Sequence, residues 1–265
     1  MKKKLFKLIK KIFLIFCLII EKKKAVSHLG TKYGGWYFIK PQSEEDLILI
    51  SAGVGEDISF DIEFFNKFKS KIIFIDPTPK AISHLNDVIK YLGNPKTKEY
   101  DETSGKQLVQ SYDLTKIKKE NFVLIEKALF NKNQLKIKFF KPKNKEHVSH
   151  SISNFQNNYK SDSEFIDVYT ITLKEITKVN EINKIEIIKL DIEGAENQVI
   201  PHMLKSNIYP KQLLVEFDEL RTNYIKPYLK AFYIFTRLLL NQYQLIKIDD
   251  FPNFLFLKKT NVKLN

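Results

Sequence analysis

Five short apolar runs, at residues 47–50, 71–75, 122–125, 186–190 and 213–217, punctuate this chain, and several of the intervals between them carry helical periodicity. Runs of four or five residues are too short for core helices and have no polar face. Each therefore reads as a strand buried on both sides. Ile58, Ile62 and Phe65 recur at helical spacing behind Asp57, a good N-cap residue. Ile82, Leu85, Ile89 and Leu92 mark a second helix, which Gly93 stops. A short helix follows from Ala195, and a longer one covers about 227–243. Strand and helix in alternation dictate an α/β fold, a mostly parallel sheet with flanking helices. Residues 244–249 and 254–258 then form two strands joined through Pro252, an antiparallel C-terminal hairpin.

Two stretches stand outside this rhythm. Residues 94–120 are polar and read as an insertion, and Leu135, Ile137 and Phe139 alternate with Lys136 and Lys138 as an exposed strand. Residues 1–24 form a basic and apolar segment set apart from a domain at 25–265. Lysines precede the uninterrupted apolar run 12–20, and Glu21 with Lys22–Lys24 closes it. Nine residues make a helix of about 14 Å, well short of the ~30 Å hydrocarbon core. A helix packed on the domain or a partner, a membrane-surface anchor with snorkelling lysines, and a cleaved signal are the three readings, the last weakened by the poor cleavage site at Ala25–Ser27.

Basic side chains outnumber acidic ones 44 to 31, a formal charge of +13. Only Arg221 and Arg237 are arginine; the rest are lysine, which lacks the guanidinium fork that groove and phosphate readers use. No nucleic-acid partner is expected, whereas weak membrane-surface contact through residues 1–24 suits lysine charge. The sole cysteine, Cys17, excludes a disulfide framework and a cysteine-ligated zinc and is compatible with a cytoplasmic location.

The chemistry gathers at strand ends. Gly53 and Gly55 follow the first strand and precede a helix, so the backbone can approach a ligand closely and a helix start offers free N–H groups. The third glycine of a dinucleotide fingerprint is missing, because position 58 is Ile. Asp76 ends the second strand and reads either as a capping or turn aspartate before Pro77 or, with the glycine loop at the right distance, as the carboxylate that accepts both ribose hydroxyls of an adenosine cofactor, whether NAD or S-adenosylmethionine. Asp191, Glu193 and Glu196 lie at the carboxyl end of the fourth strand. Glu196 fits a helix N-terminus; Asp191, the last residue of an apolar strand, fits that role poorly.

These residues resemble the FkbM family of S-adenosylmethionine-dependent methyltransferases. The resemblance rests on Lys189-x-Asp191-x-Glu193-Gly194-x-Glu196, on Val215-Glu216, and on Gly53-x-Gly55-x-Asp57-x-Ser59-Phe60-Asp61. Asp76-Pro77-x-Pro79, Tyr33–Trp36 and His147–Ser151 extend it over about residues 28–258. It implies a Rossmann-like class I methyltransferase sheet, S-adenosylmethionine as cofactor, and O-methylation of a hydroxyl on a glycan or small-molecule secondary metabolite. It places an acid two residues before the first glycine, where this chain has Ser51; Glu56 and Asp57 are the carboxylates nearby.

The candidate cofactor residues are thus Ser51, Gly53, Gly55, Asp57 and Asp76, and the candidate catalytic residues Asp191, Glu193 and His150. His147 and His150 have no acid or third histidine at ligand spacing, so no metal is assigned; His150 serves as a proton acceptor beside the substrate. Two rivals remain: a nicotinamide-dependent oxidoreductase, against which the missing glycine and the terminal hairpin argue, and a non-catalytic, membrane-tethered nucleoside-binding module, suggested by Ser51 and the basic N-terminus.

Overall fold

The computed structural model describes residues 2–43, 45–142, 150–157 and 163–259. Helix α1 (Lys2–Ile20) is followed by strands β1 (Ser27–Leu29) and β2 (Trp36–Phe38), which pair antiparallel. Then β3 (Ile48–Ala52), α2 (Ser59–Phe68), β4 (Lys71–Ile75), α3 (Pro79–Lys90) and β5 (Phe122–Ile125) alternate. Three peripheral strands, β6 (Ala128–Leu129), β7 (Lys136–Phe140) and β8 (Phe165–Ile171), lead through α4 (Leu173–Val179) back to β9 (Ile187–Leu190). After α5 (Glu196–Lys205), β10 (Gln212–Glu216) and α6 (Ile225–Leu240), strands β11 (Tyr243–Asp249) and β12 (Asn253–Lys258) form the hairpin.

The central sheet has seven strands in the order β11-β12-β10-β9-β3-β4-β5. The five apolar runs are its parallel strands, and β12 joins antiparallel to β10. Their lack of a polar face has a direct cause. Ile50, Ala52, Ile188 and Leu190 face a core closed by α1, α5 and α6, while Leu49, Ile72, Phe74 and Ile187 face a second core under α2 and α3. From β3 the chain runs outward to β4 and β5, then returns to β9 on the other side of β3. That reversal opens a crevice at the carboxyl ends of β3 and β9.

Three expectations need correction. The stretch 94–120 is no peripheral insertion: Tyr112 and Leu114 are fully buried in the second core with Ile117, and the Tyr112 hydroxyl accepts the Ile58 N–H at 3.2 Å. Helix α2 starts at Ser59 with Ile58 as its cap residue, so Asp57 is not the cap, although its Oδ1 accepts the Ser59 N–H at 2.9 Å. Helix α1 is 19 residues long, about 28 Å, because lysines on its outer face do not interrupt it. Phe13 and Cys17 are fully buried in the main core, with Phe6, Ile9, Phe16 and Ile20 packed beside them at helical spacing. Phe13 makes an edge contact with Tyr228 at 5.6 Å and another with Phe232 at 5.0 Å. Among the described residues no helix is long and apolar enough to cross a membrane.

Candidate active site

The crevice is an open cleft of about 940 Å³, including its mouth. One wall is the turn after β3. Gly53 adopts φ +76° and Gly55 φ +60°, both in the left-handed region. A Cβ on Gly53 would lie 1.6 Å from the Asp191 carbonyl oxygen, so the approach of the turn to the β9 end requires glycine. At Gly55 the space is open, and only the backbone angle asks for glycine.

Asp76, buried at the end of β4, holds this turn. Its Oδ2 accepts the N–H groups of Val54 at 2.8 Å and Gly55 at 3.2 Å. Its Oδ1 accepts the Thr78 N–H at 2.8 Å and the Thr78 hydroxyl at 2.6 Å. One carboxylate therefore ties the glycine turn to the start of α3, with all four lone-pair directions in use.

The opposite wall is acidic. Asp191 follows β9 and donates its N–H to Ala52 at 3.0 Å, joining both strand ends. Glu193 sits at φ +52° and accepts a hydrogen bond from Gln156 Nε2 at 2.8 Å. Glu196, fully buried, closes the turn: its Oε1 accepts the Ile192 and Gly194 N–H groups. Glu216 at the end of β10 pairs with Arg221 at 2.6 Å, and Asp218, in the single helical turn that follows, is only 6% exposed. Burial, then the Glu216 and Glu193 charges, pushes the Asp191 carboxyl well above the ordinary carboxylate range. Asp218 is raised by burial and then by Glu193 and Glu216, and Glu196 is raised chiefly by burial.

The sequence-selected residues divide accordingly. Gly53, Gly55, Asp57, Asp76, Asp191, Glu193 and His150 all line the cleft. The Asp57 carboxylate is engaged internally, accepting from the Thr31 hydroxyl at 2.7 Å and from Ser59 N–H, while Glu56 pairs with Lys106 at 3.4 Å. Ser51 does not line the cleft. It is fully buried on the face of β3 that meets the buried Asp61–Lys189 pair, whose charged atoms lie 3.5 Å apart. The Lys189 of the quoted motif thus answers a charge inside the fold. The His150 ring stacks on Phe139 at 5.9 Å, and His147 lies outside the described residues.

Sequence reasoning assigned no role to Glu216 and did not single out Asp218. The signal was there: Glu216-Phe217-Asp218 places acids after an apolar strand just as Asp191-Ile192-Glu193 does. The expectation of no metal rests on the single cysteine and on the spacing of His147 and His150; the structure brings one oxygen each of Asp191, Glu193 and Asp218 within 4.8 Å of the others.

Comparison with known proteins gives one match. The family profile described as methyltransferase FkbM domain matches residues 34–235, from the residues before β2 into α6, a span that holds both walls of the cleft. No curated protein and no solved structure matches the chain.

Proposed function

This chain belongs to the FkbM methyltransferase family, and we propose that it takes its methyl group from S-adenosylmethionine and delivers it to a hydroxyl of a glycan or small-molecule secondary metabolite. The observation that carries the reading is the pairing of the two walls. A glycine turn tied to Asp76 and the acids Asp191 and Glu193 line one cleft at the switch point of the sheet. We read that sheet as the Rossmann-like class I methyltransferase arrangement, with the C-terminal hairpin as its antiparallel edge.

The residues suit such a donor. Gly53 and Gly55 allow its backbone-close seat, and Asp76 takes the ribose hydroxyls by exchanging its Thr78 bonds for them. When bound, the donor supplies an electrophilic methyl group on a sulfonium, a cation that the acidic wall complements. Asp191 takes the acceptor's hydroxyl proton on a carboxylate oxygen, and its raised proton affinity makes it a better base than an ordinary aspartate. Glu193, held by Gln156, orients the hydroxyl, and His150 borders the acceptor end as a second proton acceptor. Calorimetric titration with S-adenosylhomocysteine, NAD and NADP tests the reading: the first binds and the others do not. Binding of NAD or NADP in its place refutes it in favour of an oxidoreductase.

The N-terminus sets location. The outer face of α1 exposes Leu5, Leu8, Ile12 and Ile19 among lysines, beside exposed Leu229, Tyr233 and Leu240 of α6. We read this face as one that rests weakly on an anionic membrane surface from the cytoplasmic side. Co-sedimentation with phosphatidylserine vesicles, lost in Ile12→Ser/Ile19→Ser, tests it; equal sedimentation of parent and variant refutes it.

A further inference from the structure

We propose that Asp191, Glu193 and Asp218 bind one hard divalent cation, Mg²⁺ or Mn²⁺, at the acceptor end of the cleft. Oxygens of the three carboxylates lie within 4.8 Å of one another. Oxygens on opposite sides of such an ion are separated by twice the metal–oxygen distance, ~4.2 Å for Mg²⁺ and up to ~5 Å for Ca²⁺. The cluster is therefore already at the size of a cation's shell, and a small closure fits it to the smaller ions. An all-carboxylate set favours such ions over zinc or copper.

The second observation is Asp218 itself. It is 6% exposed, among the described residues its Oδ2 has no hydrogen-bond partner, and Arg221 Nε stands 3.9 Å from Oδ1, an ion pair beyond hydrogen-bond distance. A buried acceptor with nothing to accept from is costly. The neighbouring cations answer the cluster only in part: Lys189 and Arg221 both act on Asp191, but Arg221 is hydrogen-bonded to Glu216 and Lys189 is paired with Asp61. Glu196 Oε2, fully buried, likewise has no hydrogen-bond partner among the described residues. The chain carries 44 basic side chains for a net charge of +13, and the two described ones that stand at this group, Lys189 and Arg221, are shared with carboxylates outside the three. A divalent ion answers both the geometry and the charge.

Its role would be to hold acceptor oxygens, with water completing the shell as Mg²⁺ prefers. That role rests on the methyl-transfer reading; the site itself does not. The test uses full-length protein stripped with EDTA and dialysed, then titrated with Mn²⁺ while the free-ion electron paramagnetic resonance signal is recorded. One saturable site per chain is expected, weakened roughly tenfold or more in Asp218→Asn and in the half-buried Glu193→Gln. In EDTA, Asp218→Asn should melt no lower than the parent, since the lost charge was uncompensated, and Mn²⁺ should raise the melting temperature of the parent alone. Mn²⁺ that stays free, or that binds parent and both variants alike, overturns the proposal. S-adenosylhomocysteine is titrated into the same samples. Its binding without Mn²⁺ binding removes the cation site only; the converse removes only the donor reading.

Discussion

Replacing Asp76 separates the two tasks its carboxylate carries. In Asp76→Ala the Val54 and Gly55 amides lose their acceptor, as do both groups of Thr78, in a setting where Asp76 itself is 5% exposed. A buried donor left unpaired costs ~1–3 kcal/mol. Two stranded amides, with water entering from the open cleft, give about 2–4 kcal/mol of lost stability, read as a shift in the urea midpoint. The donor's ribose loses two charge-assisted bonds, a further ~2–4 kcal/mol of binding, or roughly 30- to 700-fold in the S-adenosylhomocysteine dissociation constant. Thr78→Val is the control: it removes only the 2.6 Å hydroxyl bond and leaves the charge. It should cost ~0.5–1.5 kcal/mol of stability and leave binding equal or tighter, because an acceptor direction is freed. Unchanged stability in Asp76→Ala refutes the bracing of the turn. Lost stability with unchanged affinity at a temperature where the variant is folded refutes the ribose assignment.

Other consequences follow from the same geometry. Gly53→Ala meets the Asp191 carbonyl at 1.6 Å and should yield misfolded protein or a loss of more than ~2 kcal/mol, whereas Gly55→Ala, with open space around it, should cost only the ~1–2 kcal/mol of a left-handed alanine; comparable denaturation curves would contradict this. Asp191→Asn should abolish methyl transfer while cofactor affinity holds, and full turnover would move the base to Glu193 or His150. Because the Asp191 carboxyl is raised while no cation sits on it, the activity of EDTA-treated parent should fall with decreasing pH already above the ordinary carboxylate range, as the base is protonated; a flat profile down to that range would exclude it. The same raised carboxyls, Asp191, Glu196 and Asp218, favour folding while protonated and lose that contribution as pH rises through their folded-state values, so Asp218→Asn should gain relative stability towards neutral pH. Phe13→Ala should cost ~3–5 kcal/mol in urea, whereas Ile19→Ala on the outer face should stay within ~0.5 kcal/mol; equal effects would mean that α1 does not dock.

The fold was legible where burial on two faces left no choice of residue. Each parallel strand announced itself as an unbroken apolar run because helices cover both sides of the sheet. Strands β1, β2, β6 and β8 gave no such signal; they are short or alternate, as in β8, whose buried Val168 and Thr170 flank the exposed Tyr169. The stretch 94–120 misled for a related reason: its buried apolar residues, Tyr112, Leu114 and Ile117, with Tyr100 and Val109 packed beside them, are scattered among residues whose polarity suited a surface loop. In α1 the apolar run 12–20 marked a helix, but the interleaved lysines hid its first half, whose Phe6 and Ile9 continue the inner face of Phe13 and Cys17.

The site was legible by strand and only partly by side chain. Glycines before a helix and acids after an apolar strand are visible as residue types in fixed places, which located Gly53, Asp76 and Asp191. Which way a strand residue points depends on register, and Ser51 shows the consequence. It follows Ile50 and precedes Ala52, both facing the main core, so its own hydroxyl points to the opposite face and meets Asp61 and Lys189 rather than a ligand. Asp191 and Asp218 illustrate the converse. They are 27 residues apart in sequence, and only the parallel pairing of β9 with β10, Leu190 opposite Val215, brings the two strand ends level. Once they are level, two modest acidic turns become one cluster whose charge exceeds that of the described cations acting on it, Lys189 and Arg221. That surplus is a property of the pairing and of neither segment alone.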